Sequence, residues 1–259
     1  MTPDEHHPNS TTSLAGLVRE VQMHENLHLF KGTVEGFKAV LRCLEKLEGL
    51  LIWCLDFWVA PDCLGDLHFE NLSRFGFLVR DEKETSWRSF LERHPKITCM
   101  TVTSFLGDVN AVPTCMPNLR EYEGAAIFLR RLDSESLGGI QKLTLQCLGE
   151  DEAAILSRLP PLRSVRTFVA TVADIEIGAV LAVLADCVPL VEHLSWAEIS
   201  PITMTCRGRA DVAAGLKRLN KLRELSVNGY EDKYGTQRTV AEWGAACTAI
   251  EQMALGGSG

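Results

Sequence analysis

The sequence lacks any Cys-x-x-Cys pair, and its nine cysteines are odd in number and scattered along the chain. That pattern argues against both a zinc ribbon and a disulfide framework. Their apolar neighbours fit free, buried thiols, so a reducing compartment, cytoplasmic or nuclear, is expected. A run of basic residues is also missing: Arg130-Arg131 is the longest cluster, and the net charge is −8. Nucleic acid is therefore not an expected partner. No apolar run is long enough to span a bilayer. Residues 47–60 come closest, but they are too short and contain Glu48 and Asp56, so no membrane contact is expected. The opening Met-Thr-Pro-Asp-Glu-His-His-Pro has no apolar core of the kind a secretory leader needs. Neither common glycine-rich phosphate loop is present, nor a Gly-x-Ser-x-Gly elbow. Gly124, Gly138, Gly139 and Gly149 read as turns. No cofactor and no catalytic residue is expected.

What is present is a cadence. In Leu-Arg-Glu-Leu-Ser-Val, residues 222–227, apolar side chains fall at positions 1, 4 and 6. The same spacing returns from Val18, Leu47, Leu72, Ile97, Leu119, Ile140, Leu162, Val191 and Ile250. The units starting at Leu119 and Leu162 are weak at position 6, where Gly124 and Thr167 stand. Successive starts lie 29, 25, 25, 22, 21, 22, 29, 31 and 28 residues apart. One such hexapeptide means nothing, but ten in series at this period is the signature of leucine-rich repeats.

Between the units, apolar residues recur at helical spacing. Examples are Val34, Phe37, Val40, Leu41 and Leu44, with Thr33 as cap, and Ile177, Val180, Leu181 and Leu184 after Asp174. Helices are also expected from Thr85, Asp151, Asp211 and Thr239, and a single turn or 3₁₀ piece around Asp62 and Val112. Strand units alternating with helices imply parallel strands. The expected fold is therefore α/β: a leucine-rich-repeat solenoid of about ten irregular repeats, with a curved parallel sheet inside and helices outside. The period divides the chain into a tail at 1–13, one domain at 14–255 and a short Gly-Gly-Ser-Gly end at 256–259. The tail and the helix after Thr239 are expected to cap the stack.

Several units follow a proline-containing turn: His94-Pro95-Lys96-Ile97, Met116-Pro117-Asn118-Leu119, Leu159-Pro160-Pro161-Leu162 and Cys187-Val188-Pro189-Leu190. These resemble the Cys-Pro-x-Leu-x-x-Leu turns of the irregular repeats in fungal F-box-type proteins. The resemblance covers roughly residues 17–255. It implies a non-catalytic adaptor that presents a protein target to a cullin-type ubiquitin ligase. The F-box itself, a helical segment opening on Leu-Pro, is not visible, so contact with ligase subunits is expected only if such a segment lies upstream.

One motif competes with the repeat scheme. His24-Glu25-Asn26-Leu27-His28 is a literal His-Glu-x-x-His, the zinc-binding helix of a class of hydrolases. The repeat frame from Val18 puts Asn26 at position 9 and makes the segment a solvent-facing turn. Cys147 and Cys187 are nucleophiles only in principle, because both sit in apolar repeat contexts. The functional surface is expected on the strand-lined concave face, at positions 3, 5 and 7 of each unit. That frame selects Leu51, Trp53, Arg74, Leu78, Glu121, Lys142, Arg166, Phe168, His193 and Glu224 as partner-binding residues. Aromatic side chains beside arginine are typical anchors of protein interfaces.

Overall fold

The computed structural model describes residues 17–24, 34–53, 64–79, 86–104, 113–172, 176–198, 206–228 and 236–256. Each position 1, 4 and 6 needs a neighbour to exclude water from it, and the chain supplies one by repeating. Ten strands result: β1 (Glu20–His24), β2 (Gly49–Trp53), β3 (Arg74–Val79), β4 (Cys99–Ser104), β5 (Glu121–Gly124), β6 (Lys142–Leu148), β7 (Thr167–Val172), β8 (His193–Glu198), β9 (Glu224–Asn228) and β10 (Gln252–Gly256). They form one all-parallel sheet in strict sequence order. The connections hold helices α1 (Val34–Arg42), α2 (Ser86–Glu92), α3 (Ser134–Gly139), α4 (Glu150–Leu156), α5 (Ile177–Cys187), α6 (Cys206–Arg218) and α7 (Thr236–Ala246), with a 3₁₀ segment over Ala126–Arg131 before α3. Packed helices need about 8–10 Å of side-to-side room and strands about 4.8 Å, so the stack bends and the bare sheet face becomes the concave one.

The register shows the cadence as geometry. Leu50, Phe75, Met100, Tyr122, Leu143, Phe168, Leu194 and Leu225 stack as position 4 across neighbouring strands, and all are buried in one continuous core with the position 1 and 6 residues. Trp87, Trp196 and Trp243 join that core, as the sequence frame requires.

The frame from Leu162 is corrected by the register. Thr167 pairs with Lys142 on one side and His193 on the other, both at position 3 of their units. The seventh unit therefore starts at Val165, with Phe168 and Ala170 at positions 4 and 6. Its neighbours then lie 25 and 26 residues away, in place of 22 and 29. Pro161 and Leu162 belong to the turn before it. The weak fifth unit has a different cause. Gly124 sits at φ +150°, and a Cβ there would lie 2.2 Å from the carbonyl oxygen of Val102. Beside it Tyr122 is buried, with its hydroxyl donating to the Ala125 carbonyl at 2.7 Å. The large phenol at position 4 fills the space that position 6 leaves empty.

Helix starts fall earlier than their nearest acidic or hydroxyl residue suggested. Asp211 lies inside α6, and Thr239 lies buried inside α7. Gly149, not Asp151, precedes α4, and Glu152 accepts the Gly149 N–H at 3.3 Å. Thr33, Asp62, Val112 and Asp174 lie outside the described residues. The helix expected after Thr239 is α7, and it precedes β10, the unit from Ile250. Cys187 and Cys247 are buried as expected, whereas Cys43 and Cys115 are exposed.

His94 holds the helical layer to a turn. Its Nδ1–H donates to the Phe90 carbonyl at 2.7 Å, and its Nε2 accepts the Phe69 N–H at 2.9 Å. Only the neutral ring satisfies both bonds, and the side chain is 2% exposed. Burial outweighs the pull of the Phe90 carbonyl and lowers its pKa from 6.5 to about 4.

The unfolded chain thus takes up a proton at His94 before the folded one does. Stability should be whole above pH 6.5 and fall by about 3 kcal/mol as the pH drops toward 4. Urea denaturation at stepped pH checks this, with His94→Gln expected to flatten the slope. Phe168→Ala should cost about 3–5 kcal/mol, the price of a core aromatic. A surface phenylalanine would cost under about 0.5 kcal/mol, so the same denaturation assay tests the corrected frame.

Candidate concave recognition face

Side chains alternate across a strand, so residues 3, 5 and 7 face away from the helices wherever 4 and 6 face toward them. Eight of the ten residues selected from sequence lie on this open face: Leu51, Trp53, Arg74, Leu78, Glu121, Lys142, His193 and Glu224. Phe168 does not. It occupies position 4 and is 1% exposed, because the seventh unit begins three residues later than the sequence suggested. Arg166 is displaced for the same reason to position 2, just before β7. There it donates to the Arg163 carbonyl at 2.8 Å and pairs with Glu192 at 3.3 Å. Thr167, Val169 and Thr171 take the places assigned to these two residues, and only the strand register reveals them.

The open face has two parts. At the β2–β4 end it is apolar. A Cβ on Gly76 would lie 2.7 Å from Leu51 Cδ2 and 3.1 Å from the Trp53 ring, so the indole lies down over the bare glycine. Leu78 is buried, yet it stands apart from the main core. Arg74 frames this patch, donating to Glu20 at 2.8 Å across β2, where Gly49 presents no side chain. Cys99 lies beside Arg74, and burial raises its thiol pKa.

Toward β10 the face is polar and small-grained. Gln146 donates to Glu123 at 3.1 Å and accepts from Thr103 at 3.4 Å. Lys142 pairs with Glu121 at 3.6 Å, and His193 Nδ1 lies 2.8 Å from Glu224. Ser195, Ser226 and Ala254 at position 5 leave a shallow depression of about 240 Å³ between β7 and β10.

None of this assembles a reaction centre. No group of three or more His, Cys, Asp or Glu residues is placed to hold a metal among the described residues. His24 is the last residue of β1 rather than part of a helix, and Glu25 and His28 lie outside the described residues. A zinc-binding pair one helical turn apart therefore finds no helix under its first histidine. Burial pushes the Cys187 thiol up to about 12, far from a nucleophile's range. The side chain of Cys147 lies outside the described set. No helix of the described residues is long and apolar enough to cross a membrane.

The order, parallel pairing and spacing of these elements define the class: the chain folds as a leucine-rich-repeat solenoid. Among solved structures it is similar to the leucine-rich-repeat-containing protein LegL7 from Legionella pneumophila. The TM-score is 0.58 at 12% identity, over 96% of this chain and 88% of that one. At that identity the likeness concerns the fold alone. No family model matches the sequence, and no curated protein does.

Thiol reactivity separates the surface from the core. A maleimide at neutral pH should modify Cys43 in the native protein and reach Cys187 and Cys247 only after unfolding. Peptide mass spectrometry before and after urea reads the difference.

Proposed function

We propose that this protein is a non-enzymatic recognition module that binds a protein target along the concave face of its sheet. The observation that carries the reading is the Trp53 patch. An indole resting on Gly76 beside Leu51 and Leu78, framed by Arg74, is an apolar anchor with a polar rim. A large aromatic held in place has little side-chain freedom to lose on binding, which is why such residues dominate interface energetics. A repeat fold adds an extended surface of fixed shape.

The narrower role, the target-binding arm of an F-box-type ubiquitin ligase adaptor, draws its support from the proline turns before the repeat units. It adds cullin-type ligase subunits as partners if an F-box segment lies upstream in a longer product. Unpaired thiols such as Cys187 and Cys247 fit work in the cytoplasm or nucleus. The zinc-hydrolase alternative has the His24–His28 motif as its only support, and the strand position of His24 counts against it.

The test is affinity capture from lysate with the tagged full chain, read by quantitative mass spectrometry. Trp53→Ala and Leu51→Asp should each lower recovery of the specific partner about 30-fold or more, the loss expected at a hot spot. Arg166→Glu, on the edge before β7, should leave recovery unchanged. Equal capture by all four proteins would move the binding surface away from the concave face. Recovery of cullin-adaptor subunits by the full-length gene product would establish the ligase role, and partners without them would remove it.

A further inference from the structure

The open face carries more acid than base. Among its described side chains stand four carboxylates, Glu20, Glu121, Glu123 and Glu224, and two permanent cations, Arg74 and Lys142. Three of the four acids face a basic group: Glu20 faces Arg74, Glu121 faces Lys142 and Glu224 faces His193. Glu123 faces an amide instead. Gln146 donates to its Oε1 at 3.1 Å, and Thr103 donates to the Gln146 Oε1 at 3.4 Å.

The shortness of β5 explains that contact. Thr103 and Gln146 both stand at position 7, on β4 and β6, with β5 between them. β5 ends at Gly124, so position 7 of the fifth unit is only Ala125, and Gln146 reaches across it. The amide orients the Glu123 carboxylate and neutralises none of its charge. Glu123 is half-buried at position 5, between Thr101 on β4 and Thr144 on β6. An ionised carboxylate accepts about four hydrogen bonds, and those from a cation are the strongest.

Glu123 also lies in line with the apolar patch. The Trp53 ring reaches back over Gly76, itself at position 5. Gly76 pairs with Thr101, and Thr101 pairs with Glu123. The indole and the carboxylate are therefore two strand spacings apart, about 10 Å. Thr101, 9% exposed, is the low ground between them.

We propose that the segment the partner lays on this face is basic, with an apolar side chain on the Trp53 patch and an arginine or lysine on Glu123. The proposal rests on the concave-face reading above and names the partner chemistry that it leaves open. A guanidinium fork or an ammonium group would meet a carboxylate whose direction is already set, so little side-chain freedom is lost on binding. The surplus of acid on the face, in a chain of net charge −8, draws such a segment from a distance.

Random peptides displayed on phage and panned on the intact chain test the proposal. Selected peptides should combine an aromatic or aliphatic residue with arginine or lysine. One of them, titrated by fluorescence anisotropy, should bind Glu123→Gln about tenfold more weakly. That variant keeps the size of the side chain and removes only its charge. Glu123→Lys should cost about 100-fold, whereas Glu150→Gln, which removes a carboxylate from α4, should bind like wild type. Urea denaturation of each variant confirms that it folds. Selection of neutral or acidic peptides, no selected peptide at all, or equal affinity for wild type and both Glu123 variants would overturn the proposal. Trp53→Ala separates it from the reading it rests on. Peptides lost with Trp53 but indifferent to Glu123 keep the concave face and sink the basic partner; peptides indifferent to Trp53 sink both.

Discussion

A strand with apolar side chains at positions 1, 4 and 6 has one wet face and no means of drying it alone. Every other feature of this chain follows from how that debt is met. Burying a leucine, valine or phenylalanine is worth about 1.5–3 kcal/mol, but only when a neighbour on each side excludes water. Interior units such as those from Leu72 to Leu222 have both neighbours and are sealed, while Val18, Val21, Met253 and Leu255 at the two ends are only partly so. Stability is therefore a property of the stack, not of any one repeat. The helices serve this same end. Leu41, Phe90, Leu181, Leu216 and Trp243 close the far side of the core that the strands open.

The fold was legible because the core positions obey a spacing, and spacing survives substitution. Phe75, Met100 and Tyr122 differ in shape yet share position 4, and a reader of hydrophobicity alone places all three. The misreading at Leu162 arose where two frames were both apolar. Leu162, Val165 and Phe168 each end up buried, at 0–1% exposure, so hydrophobicity does not choose between them. The choice is made by backbone pairing of Thr167 with Lys142 and His193, and no single-chain pattern encodes which residue lies beside which. Helix starts erred for a related reason. Capping residues are preferences worth about 1 kcal/mol, and packing of a helix onto its neighbour overrides them. Asp211 sits mid-helix, with its Cβ 2.6 Å from where a side chain on Gly178 would begin.

The candidate site was legible in outline and not in detail. Alternation names the residues that face outward, so Leu51, Trp53, Leu78 and Glu224 followed from the frame. It does not say that Gly76 is absent side chain by design, or that the indole would lie over it. Nor does it show that Ser195, Ser226 and Ala254 share a row and leave a depression. These are relations between strands 25 to 31 residues apart, and they appear only once the register is known.

The charged residues of the open face bear on what recognition can rest upon. Arg74 answers Glu20, Lys142 answers Glu121, and His193 answers Glu224. All of these side chains are a third to a half exposed, and ion pairs of the Arg74–Glu20 and Lys142–Glu121 kind contribute about 0–1 kcal/mol to stability. The free protein thus gains little from them, and an arriving partner gives up little by exchanging them for its own. Charge on this face acts chiefly on orientation and on the rate of encounter. Affinity has to come from area that water leaves willingly. That area is concentrated between β2 and β4, where one indole, two leucines and a bare glycine occupy rows that elsewhere carry serine, threonine and glutamate. The asymmetry gives the concave face an apolar end and a charged end, and it follows from which outward positions the core leaves free to vary.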